Sequence, residues 1–226
     1  MLKTIIDYAE IWAIFIPLIV LARHRKQPDY VKPIIWYLWL ALLLNIACDL
    51  ISFLAIRFRN PEEHKWWYSN TVIYNIHSIV RFALFSAFFL RLREFGRKWI
   101  WYASVVFIVA TIVIELFSDD SIFNTKLINS SLFLTESFIL LLLCMAYYLK
   151  AIRSSEVKLG KQKSFWIVTG IAIYCVVNFF VFLFYKPFVL ELSPLAHGVW
   201  RLHNVAFVIW SIFTAIALYV SVRDFD

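Results

Sequence analysis

Seven times along the chain an apolar run is long enough to cross a hydrocarbon layer about 30 Å thick, which takes roughly 20 helical residues at 1.5 Å each. The runs cover approximately residues 4–22, 33–56, 69–90, 99–117, 127–149, 164–185 and 197–222. In lipid every backbone N–H and C=O must find a partner within the protein, which leaves helices or a closed barrel. Barrel strands read as alternating segments of roughly ten residues. These runs are about twice that length and do not alternate, and 4 Gly in 226 residues are too few for a barrel's turns. Only 16% of residues are charged and mean hydropathy is +0.76, against roughly 25% charged in a soluble domain. The expected fold class is all-α: a polytopic membrane protein, one seven-transmembrane-helix domain spanning residues 1–226.

Basic residues between the runs set the orientation. One set of connections, with the C-terminal tail, holds fourteen Lys and Arg: Arg23, Arg25, Lys26 and Lys32, then Arg91, Arg93, Arg97 and Lys98, then Lys150, Arg153, Lys158, Lys161 and Lys163, with Arg223. The opposite set holds six: Lys3, Arg57, Arg59, Lys65, Lys126 and Lys186. The richer set is expected in the cytoplasm, placing the N-terminus outside and the C-terminus inside. The net charge of +7 is spread between spans rather than massed on one face, so it reports topology and not nucleic-acid binding. The first run carries Asp7 and Glu10, has no small-residue cleavage pattern and is followed by Arg-His-Arg-Lys, so it reads as a retained helix rather than a signal peptide. Pro17 is expected to kink it, Pro33 to open the second span and Pro187 to follow the sixth. Trp66, Trp67, Trp99 and Trp101 read as interface residues, and residues 154–164 as an inner loop. Cys48, Cys144 and Cys175 sit in three different runs, forming neither a disulfide frame nor a CxxC pair.

The third run contains the informative exception to this apolar pattern. At 100° per residue, Asn70, Tyr74, His77, Ser78 and Arg81 fall within one arc of about 100°. A polar stripe on a lipid-surrounded helix must face protein or water. Other runs carry their own stripes: Asn45, Asp49 and Ser52; Ser104, Thr111 and Glu115; Asn129, Glu136 and Ser137; Tyr174, Asn178 and Tyr185; and His197, Arg201, Asn204 and Ser211, with His203 about 120° away. With alternating span directions, most of these lie between the outer surface and mid-membrane, above inner halves dominated by Leu, Ile, Val, Phe and Ala. The expectation is an outward-facing polar pocket lined by Asp49, Asn70, His77, Arg81, Glu115, Asn129, Glu136, Asn178, Arg201 and Asn204. A charge at the bilayer centre costs at least about 2.5–3.5 kcal/mol on insertion scales, so Asp49, Arg81 and Glu136 should pair with one another or with Arg201. An incoming anion could displace a carboxylate from Arg81 or Arg201.

His77, His197 and His203 with Asp49 and Ser78 have the residue types of membrane zinc hydrolases such as seven-helix ceramidases and progestin-receptor-type enzymes. Chelation from one helix favours i, i+3 or i+4 spacing, whereas His197 and His203 are six apart. No metal or other cofactor is expected. The last span has no lysine for retinal, and there is neither a phosphate-binding Gly-rich loop nor a GxSxG elbow. A transporter would show broken helices or repeats around a midplane site. Only Arg223–Asp226 follow the last span, so an attached output domain is not expected.

The pattern of Asn70 to His77, Asn129 to Glu136, Tyr174 with Asn178, and His203-Asn204 resembles a group of small bacterial integral membrane proteins without an assigned activity. It is also broadly similar to the seven-helix sensory modules of bacterial signalling proteins. The resemblance implies a seven-helix fold in a bacterial inner (plasma) membrane. The reading is a non-enzymatic protein that binds a small polar or amphiphilic ligand and passes its occupancy to a cytoplasmic or membrane signalling partner. Its alternatives are a membrane-embedded metal-dependent lipid hydrolase and a small-solute transporter.

Overall fold

The structure, a computed structural model, describes the backbone at residues 2–57, 70–92, 97–117, 121–123, 128–153, 159–191 and 193–220, and the side chains there except at 2, 52, 54–57, 97, 190, 191 and 193–197. Every described element is helical: α1 Leu2–Asp7, α2 Ala9–Arg23, α3 Lys32–Arg57, α4 Thr71–Arg91, α5 Arg97–Phe117, α6 Ser130–Arg153, α7 Lys163–Glu191 and α8 Ser193–Tyr219. Short 3-10 turns at Asp29–Val31 and Leu159–Lys161 lead into α3 and α7. Six of the described helices, α3 to α8, are long and apolar enough to cross a membrane, the make-up of a multi-pass membrane protein.

The first apolar run departs from expectation. It breaks at Tyr8, whose φ of −101° and ψ of 18° separate α1 from α2, while the helix continues through Pro17. Side chains compensate the break: Trp12 Nε1 donates to the Ile5 carbonyl at 2.8 Å, and Asn204 Nδ2 donates to Ile6 at 3.0 Å and Asp7 at 3.3 Å. Those carbonyls would otherwise be orphan acceptors at a helix end. Pro187 likewise lies inside α7, one turn before its end, rather than beyond it. The carbonyl it deprives of its helical donor belongs to Leu183.

Packing closes a ring. α2 lies against α3, α3 against α4, α4 against α6, α6 against α7, α7 against α8, and α8 returns to α2. α5 rides outside on α4 and α6, with only 11% of its span buried. Its exposed residues are Val105, Val106, Ile108, Val109, Ile112 and Leu116, side chains suited to acyl chains. Trp99 and Trp101 at its start are also exposed, as interface residues should be; Trp66 and Trp67 lie outside the described residues. Within the ring, Tyr37, Phe85, Phe88, Phe89 and Trp210 are fully buried. Gly170 lets α7 and α8 touch: a Cβ there would stand 2.9 Å from the Phe213 Cβ, so even alanine would push the helices apart. All three cysteine thiols are buried and unpaired.

At the end of the bundle where α7 begins, Lys163 is buried and donates to the Ala217 and Leu218 carbonyls at 3.0 and 3.2 Å, joined by Gln27 Nε2 on Leu218 at 3.1 Å. A cation on the last carbonyls of α8 complements the negative end of that helix.

Candidate functional site

Three charge pairs of decreasing burial organise the opposite half of the bundle. The deepest joins α4 to α6. Arg81 Nε donates to Glu136 Oε1 and Nη2 to Oε2, both at 2.6 Å, with side chains 4% and 1% exposed. The remaining Arg81 terminal nitrogen donates to the Tyr174 hydroxyl at 2.7 Å, and the Ser78 hydroxyl donates to Glu136. The Phe133 and Tyr174 rings lie 5.5 and 5.2 Å from the guanidinium carbon. Position explains the pairing on α4: Ser78 and Arg81 are three apart, so both project to the same side. This fork is what a guanidinium and a carboxylate need to survive burial together.

The second pair joins α2 to α8. His203 Nε2 lies 2.7 Å from Glu10 Oε1, and His203 Nδ1 lies 2.5 Å from Asn178 Oδ1 on α7. Tyr74 donates to Glu10 Oε2 at 3.3 Å, and Asn45 donates to the Glu10 carbonyl at 3.1 Å. Each ring nitrogen of His203 thus faces an oxygen, one from a carboxyl and one from an amide. Trp200 packs 5.0 Å from the imidazole centroid and Tyr174 5.7 Å, so Tyr174 touches both this pair and Arg81. The third pair is the most open. Arg201 on α8 forks onto Asp7 at 2.8 and 3.2 Å, with side chains 30% and 45% exposed.

Arg81 and Glu136 therefore meet directly, Asn178 enters the Glu10–His203 pair, and Arg201 and Asn204 hold α1. His77 stacks on Tyr37 at 5.5 Å and 9°, beside Arg81 one turn away. The other expected lining residues stand elsewhere. Asn70 Nδ2 ties the start of α4 to the Cys48 carbonyl at 3.2 Å. Glu115 accepts from Ser121 and the Ile122 N–H, both at 2.7 Å, and Asn129 caps α6 by accepting from the Leu132 N–H at 2.9 Å. These two build the α5–α6 corner. Asp49 is exposed on α3 and joins none of the three pairs. Two arginines and three carboxylates thus do not form one network; each arginine has its own acid.

Seven participants in these pairs stand outside the expected lining set: Asp7, Glu10, Asn45, Tyr74, Ser78, Tyr174 and His203. His203 was set apart because it lies about 120° from the stripe that begins at His197, but a helix packed between α2 and α7 has two inward arcs. Two polar arcs on one span were the available signal. Ser52 and His197 have side chains outside the described residues. Among the described residues, no three His, Cys, Asp or Glu side chains are grouped to hold a metal ion.

Several buried polar atoms have no hydrogen-bond partner among the described residues: His77 Nε2, Ser86 Oγ, Asn178 Nδ2, Asn204 Oδ1, Trp210 Nε1, Ser211 Oγ and Thr214 Oγ1. Each such group, if dry, costs about 1–3 kcal/mol. Ser86, Ser211 and Thr214 lie in the half expected to be an apolar plug, so the polar lining continues past mid-bundle.

No protein-family model matches this chain, and neither a curated protein nor a solved structure is significantly similar to it.

Proposed function

We propose that the chain is a seven-helix protein of the bacterial inner membrane, N-terminus outside and C-terminus cytoplasmic, that binds a small polar or amphiphilic ligand in the outer half of its bundle. α1 and α2 together form its first span. The role is non-enzymatic: occupancy is passed to a signalling partner through the basic inner loops.

The observation that carries this reading is the gradient of burial across the three charge pairs. Breaking the sealed Arg81–Glu136 pair would strand a charge in the core, whereas half-exposed ion pairs exchange partners at little cost. An acidic ligand group therefore takes Arg201 and displaces Asp7, while Arg81 stays locked. Because Asp7 ends α1, its release frees the α1 segment from α8, and that movement is the readout of occupancy. Asn204, on the same helix as Arg201 and with its Oδ1 unspent, supplies a neutral hydrogen bond.

Native mass spectrometry of the protein in mild detergent tests this. An acidic adduct on the unsubstituted protein, missing from Arg201→Gln at an unchanged thermal midpoint, is the expected result. The same adduct on both proteins, or on neither, overturns the assignment.

A further inference from the structure

The unpartnered atoms are not scattered. On α8, Asn204, Ser211 and Thr214 are each 0% exposed and Leu218 is 1% exposed. They fall within one arc of about 80° and span about 21 Å of rise. Ser211 and Thr214 do not spend their hydroxyls on the carbonyl one turn back, although Thr111, Thr135 and Thr169 all do, at 2.8, 2.8 and 2.7 Å. Around the same column stand other unspent groups. His77 Nε2 and Trp210 Nε1 flank the Tyr37 ring, whose centroid is 5.5 Å from the first ring and 5.3 Å from the second. On α2, Pro17 has no N–H to give, so the Ala13 carbonyl, in a residue 0% exposed, lacks its helical donor.

Hydroxyls, an indole N–H, an imidazole nitrogen and a backbone carbonyl, drawn from α2, α4 and α8, are what a chain of internal water requires: two to four polar partners per molecule. Both ends of the column are built for protons. At one end the His203 imidazole meets the Glu10 carboxyl at 2.7 Å. At the other lie the Lys163 ammonium, on the Ala217 and Leu218 carbonyls, and the Tyr147–Ser164 hydroxyl pair at 3.0 Å.

We propose that this column is a proton path through the bundle, running from the Glu10–His203 pair past Tyr37, Ser211 and Thr214 to the Lys163 end. A proton enters at Glu10–His203 and moves by hops between oxygens. Each hop breaks one O–H bond and makes another, and a counter-ion crossing the membrane separately balances the charge. Glu136 and Arg81 neutralise each other, and between the two ends of the path no other charged side chain among the described residues is buried. The path needs no ligand: Arg201 and Asp7 lie outside it, and Asn204 is common to both readings.

The test uses the full chain in potassium-loaded liposomes containing pyranine, with valinomycin setting an inside-negative potential. Internal acidification faster than in protein-free liposomes is expected. It should slow tenfold or more in Thr214→Val, which keeps the side-chain shape, and in Ser211→Ala. Thr135→Val, which removes a hydroxyl already spent on the Ser131 carbonyl, should conduct like the unsubstituted protein. Acidification no faster than in protein-free liposomes overturns the proposal. So does unchanged acidification in whichever of the two path variants keeps its thermal midpoint. Ser211→Ala deletes a single oxygen and serves if Thr214→Val fails to fold.

Discussion

Glu136→Leu is expected to be among the most damaging single substitutions in the chain, lowering the thermal midpoint in detergent by about 10 °C or more, from a loss of about 3–5 kcal/mol. The leucine itself is harmless; the cost is the Arg81 guanidinium left buried, 4% exposed, without its carboxylate. Arginine cannot shed its charge. Arg81→Met should cost less, because a stranded Glu136 can take up a proton and keep its bond from Ser78. The double variant Arg81→Met, Glu136→Leu should recover most of the loss, since a buried ion pair replaced by packed apolar groups is often neutral or better. Thermal melts of the four proteins check this ordering. A double variant as unstable as the sum of the two singles would mean that Arg81 and Glu136 do not depend on each other.

Asn75→Leu should cost about 2–4 kcal/mol for a different reason: it leaves two buried backbone groups unpaired. Asn75 is 0% exposed on α4. Its Nδ2 donates to the Ile122 carbonyl at 2.7 Å, and its Oδ1 accepts from the Asn129 N–H at 3.1 Å. One amide thus pins both sides of the α5–α6 corner to α4. Asn129 continues the chain of contacts by capping α6, so Asn129→Ala should cost about 1 kcal/mol alone. Combined with Asn75→Leu it should cost less than the sum, because the two share a network. Hydrogen exchange should show the loss first at the Asn129 amide in Asn75→Leu and at the Leu132 amide in Asn129→Ala, while amides in α8 keep their protection.

Asn75 also marks the limit of reading helices by angle. It lies about 140° from Asn70, off the stripe that contains Tyr74, His77, Ser78 and Arg81. That stripe was legible because a charge inside an apolar run must be turned inward, and Arg81 with Glu136 followed from the same cost. Asn75 was not, because α4 touches α3, α5 and α6 at once and so has more than one buried face. His203 escaped for the same reason on α8. Asp49 shows the converse. It lies one turn beyond Asn45, which is buried against the Glu10 carbonyl, so the two share a face. The chain opposite Asp49, however, has already broken at Tyr8, and α1 leans on α8 instead of covering α3. A break caused by Tyr8 rather than by the proline nine residues later leaves no mark in composition. It becomes visible only through the side chains, Trp12 and Asn204, that reach for the freed carbonyls.

In the proposed protein, polar side chains are enclosed by the bundle and reached from the N-terminal, external side. Labelling by a membrane-impermeant maleimide in intact cells tests this most directly, using a chain whose Cys48, Cys144 and Cys175 are replaced by alanine. Arg201→Cys should label from outside, and Ser78→Cys, at a position 0% exposed, should label only after denaturation. Labelling of position 201 solely in inverted vesicles, or rapid labelling of position 78 in the folded protein, would contradict it.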